Sequence, residues 1–229
     1  MRSPKSTGRI IGLLLLTQLI VGLTTPYIIL RPLNAPLTFA ANEPVNSFLV
    51  RLAVMMLFVG GAVSIAIAVV AWPILRQFSY TIAVWVVALA VVNFSLQCVE
   101  NAAWMSMFTL SQDYAKAAAV DAGFYNQLAP TVRSAWKWVH YTHLLILVSW
   151  MFMLFVALWR TALAPRVLAA LGVVATLLQI SGITLPQFLA YHVPMPTAMG
   201  LPLGVVYLVL SVWLMAKGFP EREFRQPEY

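Results

Sequence analysis

Charge is scarce in this chain: of 229 residues, 14 are Lys or Arg and 7 are Asp or Glu, while 62% are hydrophobic. With a mean hydropathy of +0.86, that balance excludes an ordinary soluble globular domain. Cysteine is almost absent. Cys98 stands alone, which excludes an intrachain disulfide and a paired-thiolate zinc site, and leaves the thiol as a small packing residue. The letters contain no GxGxxG, no GxSxG, no GKS or GKT and no HExxH. Dinucleotide-binding turns, nucleophile elbows, phosphate loops and the commonest helical zinc motif are thereby removed. Low-complexity tracts, a separate soluble domain and a clear internal repeat are also missing.

What is present is apolar length. Six runs approach or exceed the roughly twenty residues that cross a bilayer as a helix: Ile10 to Ile29, Phe48 to Leu75, Thr81 to Leu110, Ser134 to Trp159, Val167 to Leu189 and Leu201 to Ala216. They are too long and too continuous for barrel strands, so the expected fold is all-α, a single six-helix transmembrane domain over residues 1–229. Met1 to Arg9 followed by an apolar run imitates a secretory signal. The run is long and lacks a small-x-small cleavage site, so it reads as an uncleaved first helix.

Short loops rich in Lys and Arg stay on the cytoplasmic side. With the N-terminus inside, that side holds Arg2, Lys5, Arg9, Arg76, Arg160, Arg166, Lys217, Arg222 and Arg225, against Arg31, Arg51, Lys116, Arg133 and Lys137 outside. Both termini are therefore expected in the cytoplasm, in a multi-pass protein of a bacterial inner membrane. Topology and anionic headgroups account for the basic residues without a nucleic acid.

Punctuation refines the spans. Pro26, Tyr27 and Arg31-Pro32 mark the outer end of helix one, and the polar, proline-rich stretch to Ser47 reads as a surface lid or a loop dipping towards the helix ends. Gly60-Gly61 at mid-depth invites close approach of another helix. Trp72-Pro73 is expected to end helix two, with Arg76 to Tyr80 as a tight inner turn. Ser111 and Asp113 ahead of an alanine-rich run predict a short interfacial helix over about 112–122, after which Pro130-Thr131 restarts the chain with Thr131 as N-cap. Gln179, Ser181, Gly182, Pro186 and Gln187 make the outer half of helix five polar and kinked.

The stretch Asn93 to Trp104 organises the rest. At about 100° per residue, Asn93, Gln97, Glu100, Asn101 and Trp104 share one narrow arc of helix three. A charge near the bilayer centre costs on the order of 3 kcal/mol on insertion scales, so Glu100 must face other helices or trapped water. Helix four opens with unusual polarity, Arg133, Lys137 and His140 on one face and His143 a little to the side. Glu100 lies roughly 15 Å below Leu110 and His140 about 10 Å below Arg133 at 1.5 Å per residue. The depths match, so Glu100 is expected to meet Lys137 or His140.

The opening GRIIGLLLL and the stretch Leu158-Trp159-Arg160-Thr161-Ala162-Leu163-Ala164-Pro165-Arg166-Val167-Leu168 resemble the bacterial membrane family known as domain-of-unknown-function 4386. There a basic, small-residue start leads helix one, and an aromatic-Arg-Ser-x-x-x-Pro-Arg turn joins helices four and five. The resemblance implies six helices and no activity, and carries over no catalytic residue. Thr161 stands where that pattern has serine.

A functional reading of the stripe is an outward-facing pocket walled by Asn93, Gln97, Glu100, Asn101, Trp104, Lys137, His140 and Gln179, with Arg51 and His192 at its mouth. It would bind or pass a small or amphipathic molecule, proton-linked through Glu100. A second reading is a membrane enzyme acting on a lipid or isoprenoid, with Glu100 and His140 as acid and base. A third is an accessory subunit of a larger membrane complex, or a homo-oligomer, and the plain alternative is a network that fixes helix register. Histidines serve metals and haem, but no specific ligand pattern appears, so no metal site is assigned and the cofactor stays unknown. Trp136 and Trp138 read as the outer aromatic belt, and the methionines Met55, Met56, Met105, Met107, Met151 and Met153 as flexible packing.

Overall fold

The computed structural model describes residues 3–30, 43–116, 122–193 and 196–221, leaving aside the side chains of 43–46, 122 and 196–197. The described residues are helical throughout their ordered elements, and six helices are long and apolar enough to cross a membrane. They are α1 (Pro4–Thr24), α2 (Glu43–Phe78), α3 (Tyr80–Lys116), α4 (Ala122–Thr161), α5 (Arg166–Gln187) and α6 (Leu201–Lys217).

Local chemistry sets the ends. Ser3 caps α1 by accepting from the Ser6 amide, with Pro4 in the first turn, as an N-terminus requires. Above Thr24 the helix widens into a π-helical stretch, Thr25–Leu30, at Pro26, where a looser turn accommodates the lost amide donor. Between α2 and α3 the turn shrinks to Ser79, whose hydroxyl accepts from the Ile82 amide.

Two prolines expected to break helices do not. α2 runs through Pro73 to Phe78, and α4 runs from Ala122 through Pro130. Thr131 is therefore not an N-cap. Proline removes one helical hydrogen bond, and a helix continues where the freed carbonyl is otherwise satisfied. The carbonyls freed by Pro73 and Pro130 are those of Val69 and Asn126, both on exposed residues. Of the interfacial helix expected over about 112–122, residues 112–116 belong to α3, which continues to Lys116; residues 117–121 fall outside the described set, as does most of the expected lid, 31–42.

Each helix packs against its sequence neighbours, and α6 returns to α1, so the six form a closed ring. Glycines set the closest seams. A Cβ on Gly12 would lie 2.7 Å from the Met215 nitrogen and 2.8 Å from the Ser211 oxygen, and one on Gly8 would collide with the Gly218–Phe219 backbone. Gly61 likewise admits Phe94 and Gln97 of α3, each of which a Cβ would meet at 3.1 Å. Gly218, at φ +70°, ends α6 against the Lys5 carbonyl, bringing the start of α1 and the end of α6 to one end of the ring.

The end near the termini is closed by an apolar core that includes Ile11, Leu15, Ile67, Ala71, Val86, Trp150, Leu154 and Leu158. The other half carries the polar residues. At 1.5 Å per residue α3 and α4 are about 55 and 60 Å long, nearly twice the roughly 30 Å hydrocarbon layer, so each is longer than crossing it requires.

Candidate proton-sharing site between helices three and four

Counting from Tyr80, Glu100 is roughly 30 Å along α3, within a span long and apolar enough to cross a membrane. The stripe on α3 is turned inward, with Asn93, Gln97, Glu100, Asn101 and Trp104 all buried. α4 presents its histidines to it. Nδ1 of His140 lies 2.7 Å from Oε1 of Glu100, and Nδ1 of His143 lies 2.6 Å from Oε2. Nε2 of His143 then reaches Oδ1 of Asn93 at 3.1 Å.

Proton counting follows from these contacts. Carboxylate and amide oxygens only accept, so the three hydrogen bonds need three hydrogens among Glu100, His140 and His143. A carboxylate with two neutral imidazoles carries two. With the Asn93 amide turned as it is, one proton more satisfies all three contacts; with the amide turned over, two hydrogens suffice. Access to the three is unequal: the His140 side chain is 30% exposed, against 6% for Glu100 and for His143. His140 is thus the exposed edge of the site.

Aromatic rings frame that edge. Trp136 stacks on His140 with centroids 5.3 Å apart and planes at 18°, and Trp104 meets Trp136 edge to face at 4.8 Å. Lys137 turns away: its Nζ lies over the rings of Trp138 and Tyr141, at 5.4 and 5.9 Å. Of the two partners expected for Glu100, the structure brings His140 and not Lys137, and it adds His143. Trp136 accordingly belongs to the site's wall, while Trp138, exposed and edge to face with Phe188, keeps a belt position.

The remaining sequence candidates lie elsewhere. Gln97 donates to Asn101 Oδ1 at 3.0 Å, and Asn101 donates to the Val54 carbonyl of α2 at 3.2 Å, so these amides face α2 rather than Glu100. Arg51 sits over the Phe108 ring at 6.0 Å, two turns beyond Glu100. Gln179 packs on Gly200 near the start of α6, and His192 is exposed in the loop after α5.

Three residues beyond the expected set extend the site inward. From Asn93, Nδ2 reaches the Ser64 hydroxyl at 2.9 Å; Gln18 Nε2 reaches the same hydroxyl at 2.7 Å; and the Tyr207 hydroxyl donates to Gln18 Oε1. Tyr207, Gln18, Ser64, Asn93, His143, Glu100 and His140 form one continuous chain through α6, α1, α2, α3 and α4. All but His140 are buried. In the sequence Gln18, Ser64 and Tyr207 are isolated polar positions on three separate apolar helices, a signal that asks for a partner without naming it.

Beside this chain, on the α2–α3 face, opens an apolar cleft of about 250 Å³ lined by Val54, Met55, Phe58, Cys98, Asn101, Ala102 and Met105. Gln97 and Asn101 separate it from the Glu100 trio.

A metal would need ligand atoms converging about 2 Å from one point. Here each imidazole nitrogen sits on its own carboxylate oxygen, the geometry of shared protons, and no cluster of three or more His, Cys, Asp or Glu suited to a metal occurs among the described residues. Chemically the trio is a buried carboxyl group hydrogen-bonded to two imidazoles, with His140 as its exposed member.

The model of the family described as a domain of unknown function, DUF4386, matches residues 10–218, and the chain belongs to that family. Comparison with curated proteins and with solved structures gives no match.

Proposed function

We propose that this DUF4386 family member binds a small or amphipathic molecule from the outer side of the membrane and links that binding to a proton held by Glu100, His140 and His143. The observation that carries the reading is the Glu100 carboxylate bracketed by two imidazoles, His140 at 2.7 Å and His143 at 2.6 Å, inside a membrane-spanning helix pair. Ionisable residues at such depth are costly and functional by default. Two surroundings support it further. The α2–α3 cleft opens sideways on an apolar face, where an acyl or isoprenoid tail enters without leaving the bilayer. Its wall residue Asn101 is hydrogen-bonded to Gln97, one turn from Glu100, so an occupant that moves Asn101 reaches the trio through α3.

The half of the ring near the termini is packed with apolar side chains, which favours binding at one face over open passage. Positive charge gathers at that apolar end, and the charge rule sets it in the cytoplasm.

The test is binding of a spin-labelled fatty acid to the full chain in bilayers across external pH, with Glu100→Gln beside it. Wild-type occupancy changes with pH, and the variant binds with a flat profile. Equal pH dependence in both would overturn the link, and no saturable binding in either would overturn the site.

A further inference from the structure

The hydrogen-bonded chain has a property that depends on the order of its members. In the arrangement present, Ser64 accepts from both Gln18 and Asn93, while Asn93 accepts from Nε2 of His143. Remove the proton on Nε2 and that contact becomes two acceptors face to face, which is repulsive. One rearrangement satisfies every member again. The Asn93 amide turns over, its Nδ2 donates to Nε2, its Oδ1 accepts the Ser64 hydroxyl hydrogen, and Ser64 still accepts from Gln18. Donation then runs one way, from the Tyr207 hydroxyl through Gln18, Ser64 and Asn93 to His143 and on to Glu100. Chains with uniform donor direction reinforce one another.

We infer that Asn93 is an amide switch that follows the protonation of His143 and reverses the Ser64 hydroxyl, the change reaching Gln18 and Tyr207 at the α1–α6 seam as a strengthening of bonds that keep their direction. The inference rests on the proposed proton-linked site and adds its regulation: the outer trio and the mid-membrane junction are one device. The two states differ by a single proton, taken from or returned to the outer aqueous phase and residing on His143 Nε2. Gln18 and Tyr207 lie on α1 and α6, the pair joined at the Gly8 and Gly12 approach. The trio itself comes from α3 and α4 alone, so neither helix of this pair contributes to it.

Other ionisable groups near the trio are few. On α4, Lys137 is turned to Trp138 and Tyr141, and Tyr141 lies beside His140 with centroids 5.6 Å apart. α2 contributes Arg51, placed over Phe108; α3 contributes Cys98 on the cleft side; α6 contributes Tyr207. α1 faces the chain with Gln18, and α5 has no ionisable side chain beyond Arg166 at its start. The proton that moves between states is therefore the trio's own.

The experiment is solid-state NMR of the full chain in lipid bilayers, with ¹⁵N-labelled histidine and ¹³C-labelled tyrosine, titrated through external pH. There are three histidines; His192→Asn leaves His140 and His143, and comparison with His140→Phe tells these two apart. As pH rises, the His143 Nε2 resonance moves from protonated to acceptor, and the Tyr207 ring resonance shifts at the same midpoint. Ser64→Ala abolishes the Tyr207 shift while His143 still titrates. Gln18→Met does the same from the other side of Ser64, should Ser64→Ala fold poorly. A Tyr207 signal that is silent in wild type, or that still follows His143 in a folded Ser64→Ala or Gln18→Met variant, overturns the switch and leaves the outer site standing. A His143 that does not titrate overturns both.

Discussion

Oε2 of Glu100 and Nδ1 of His143 face each other at 2.6 Å across the α3–α4 interface, each side chain only 6% exposed. Neither can turn to water when the other is lost. Removing one partner of a buried ionic pair costs about 3–5 kcal/mol, because the survivor is left unsatisfied, while replacing both by apolar groups costs far less. Glu100→Leu and His143→Leu are therefore each expected to destabilise strongly, and the double variant by clearly less than the sum, with a coupling of roughly 1–3 kcal/mol. Thermal unfolding in mild detergent measures this. Additive losses would mean the contact is incidental.

Lys137→Met tests the orientation of α4. The ammonium lies over Trp138 and Tyr141 and away from Glu100, so the substitution removes cation–π contacts worth about 0.5–1 kcal/mol. It should leave the pH dependence of fatty-acid binding intact, whereas His140→Phe, which keeps a ring against Trp136 but loses the nitrogen, should alter it. A Lys137→Met variant with a shifted profile would place the lysine in the site.

How much of this was legible in the letters depends on which forces choose each feature. The spans are set by bilayer thickness, so run length alone places them. The inward stripe is set by helical period, so Asn93, Gln97, Glu100 and Trp104 fall together before any tertiary fact is known. Gly60-Gly61 reads as a close seam for the same reason, and Gly61 is one. The identity of Glu100's partners turns on the rotation of α4 about its own axis. Lys137, His140 and His143 are three residues apart, and a modest rotation exchanges one for another. That rotation comes from packing along the whole helix and from the Trp104, Trp136 and His140 stack, which no local pattern encodes. The link among Gln18, Ser64 and Tyr207 is not legible for a related reason: they lie on separate helices, and only ring closure of α6 onto α1 joins them. Pro73 and Pro130 misled because proline propensity is local, while long helices are held by their neighbours.

The α1–α6 seam predicts a contrast between glycines on one helix. A methyl at Gly12 meets the Met215 and Ser211 backbone at 2.7 and 2.8 Å, whereas a methyl at Gly22 meets nothing within 4 Å. Overpacking of that kind costs about 1–3 kcal/mol. Gly12→Ala should lower the unfolding temperature in detergent, and Gly22→Ala should leave it unchanged or slightly raised, since alanine is the better helix former. Equal effects would argue against the closed ring.

The cleft and the trio are adjacent but separate, which allows occupancy and proton exchange to be tested apart. Ala102 lines the cleft and is exposed on α3, two residues from Glu100 but on a different face. Ala102→Trp fills the space without touching a member of the hydrogen-bonded chain. Tryptophan at a membrane-exposed helical position costs little, so folding should be retained. If amphipathic ligands enter through this cleft, the variant loses spin-labelled fatty-acid binding by at least tenfold, while His143 titrates as in wild type. Should binding survive with Ala102→Trp and vanish with Glu100→Gln, the ligand reaches the trio from the exposed His140 edge, and the cleft is filled by bulk lipid alone. Loss of both properties at once would mean that α3 moves as a body when the cleft is filled, making Asn101 and its contact to the Val54 carbonyl the mechanical link between occupancy and proton.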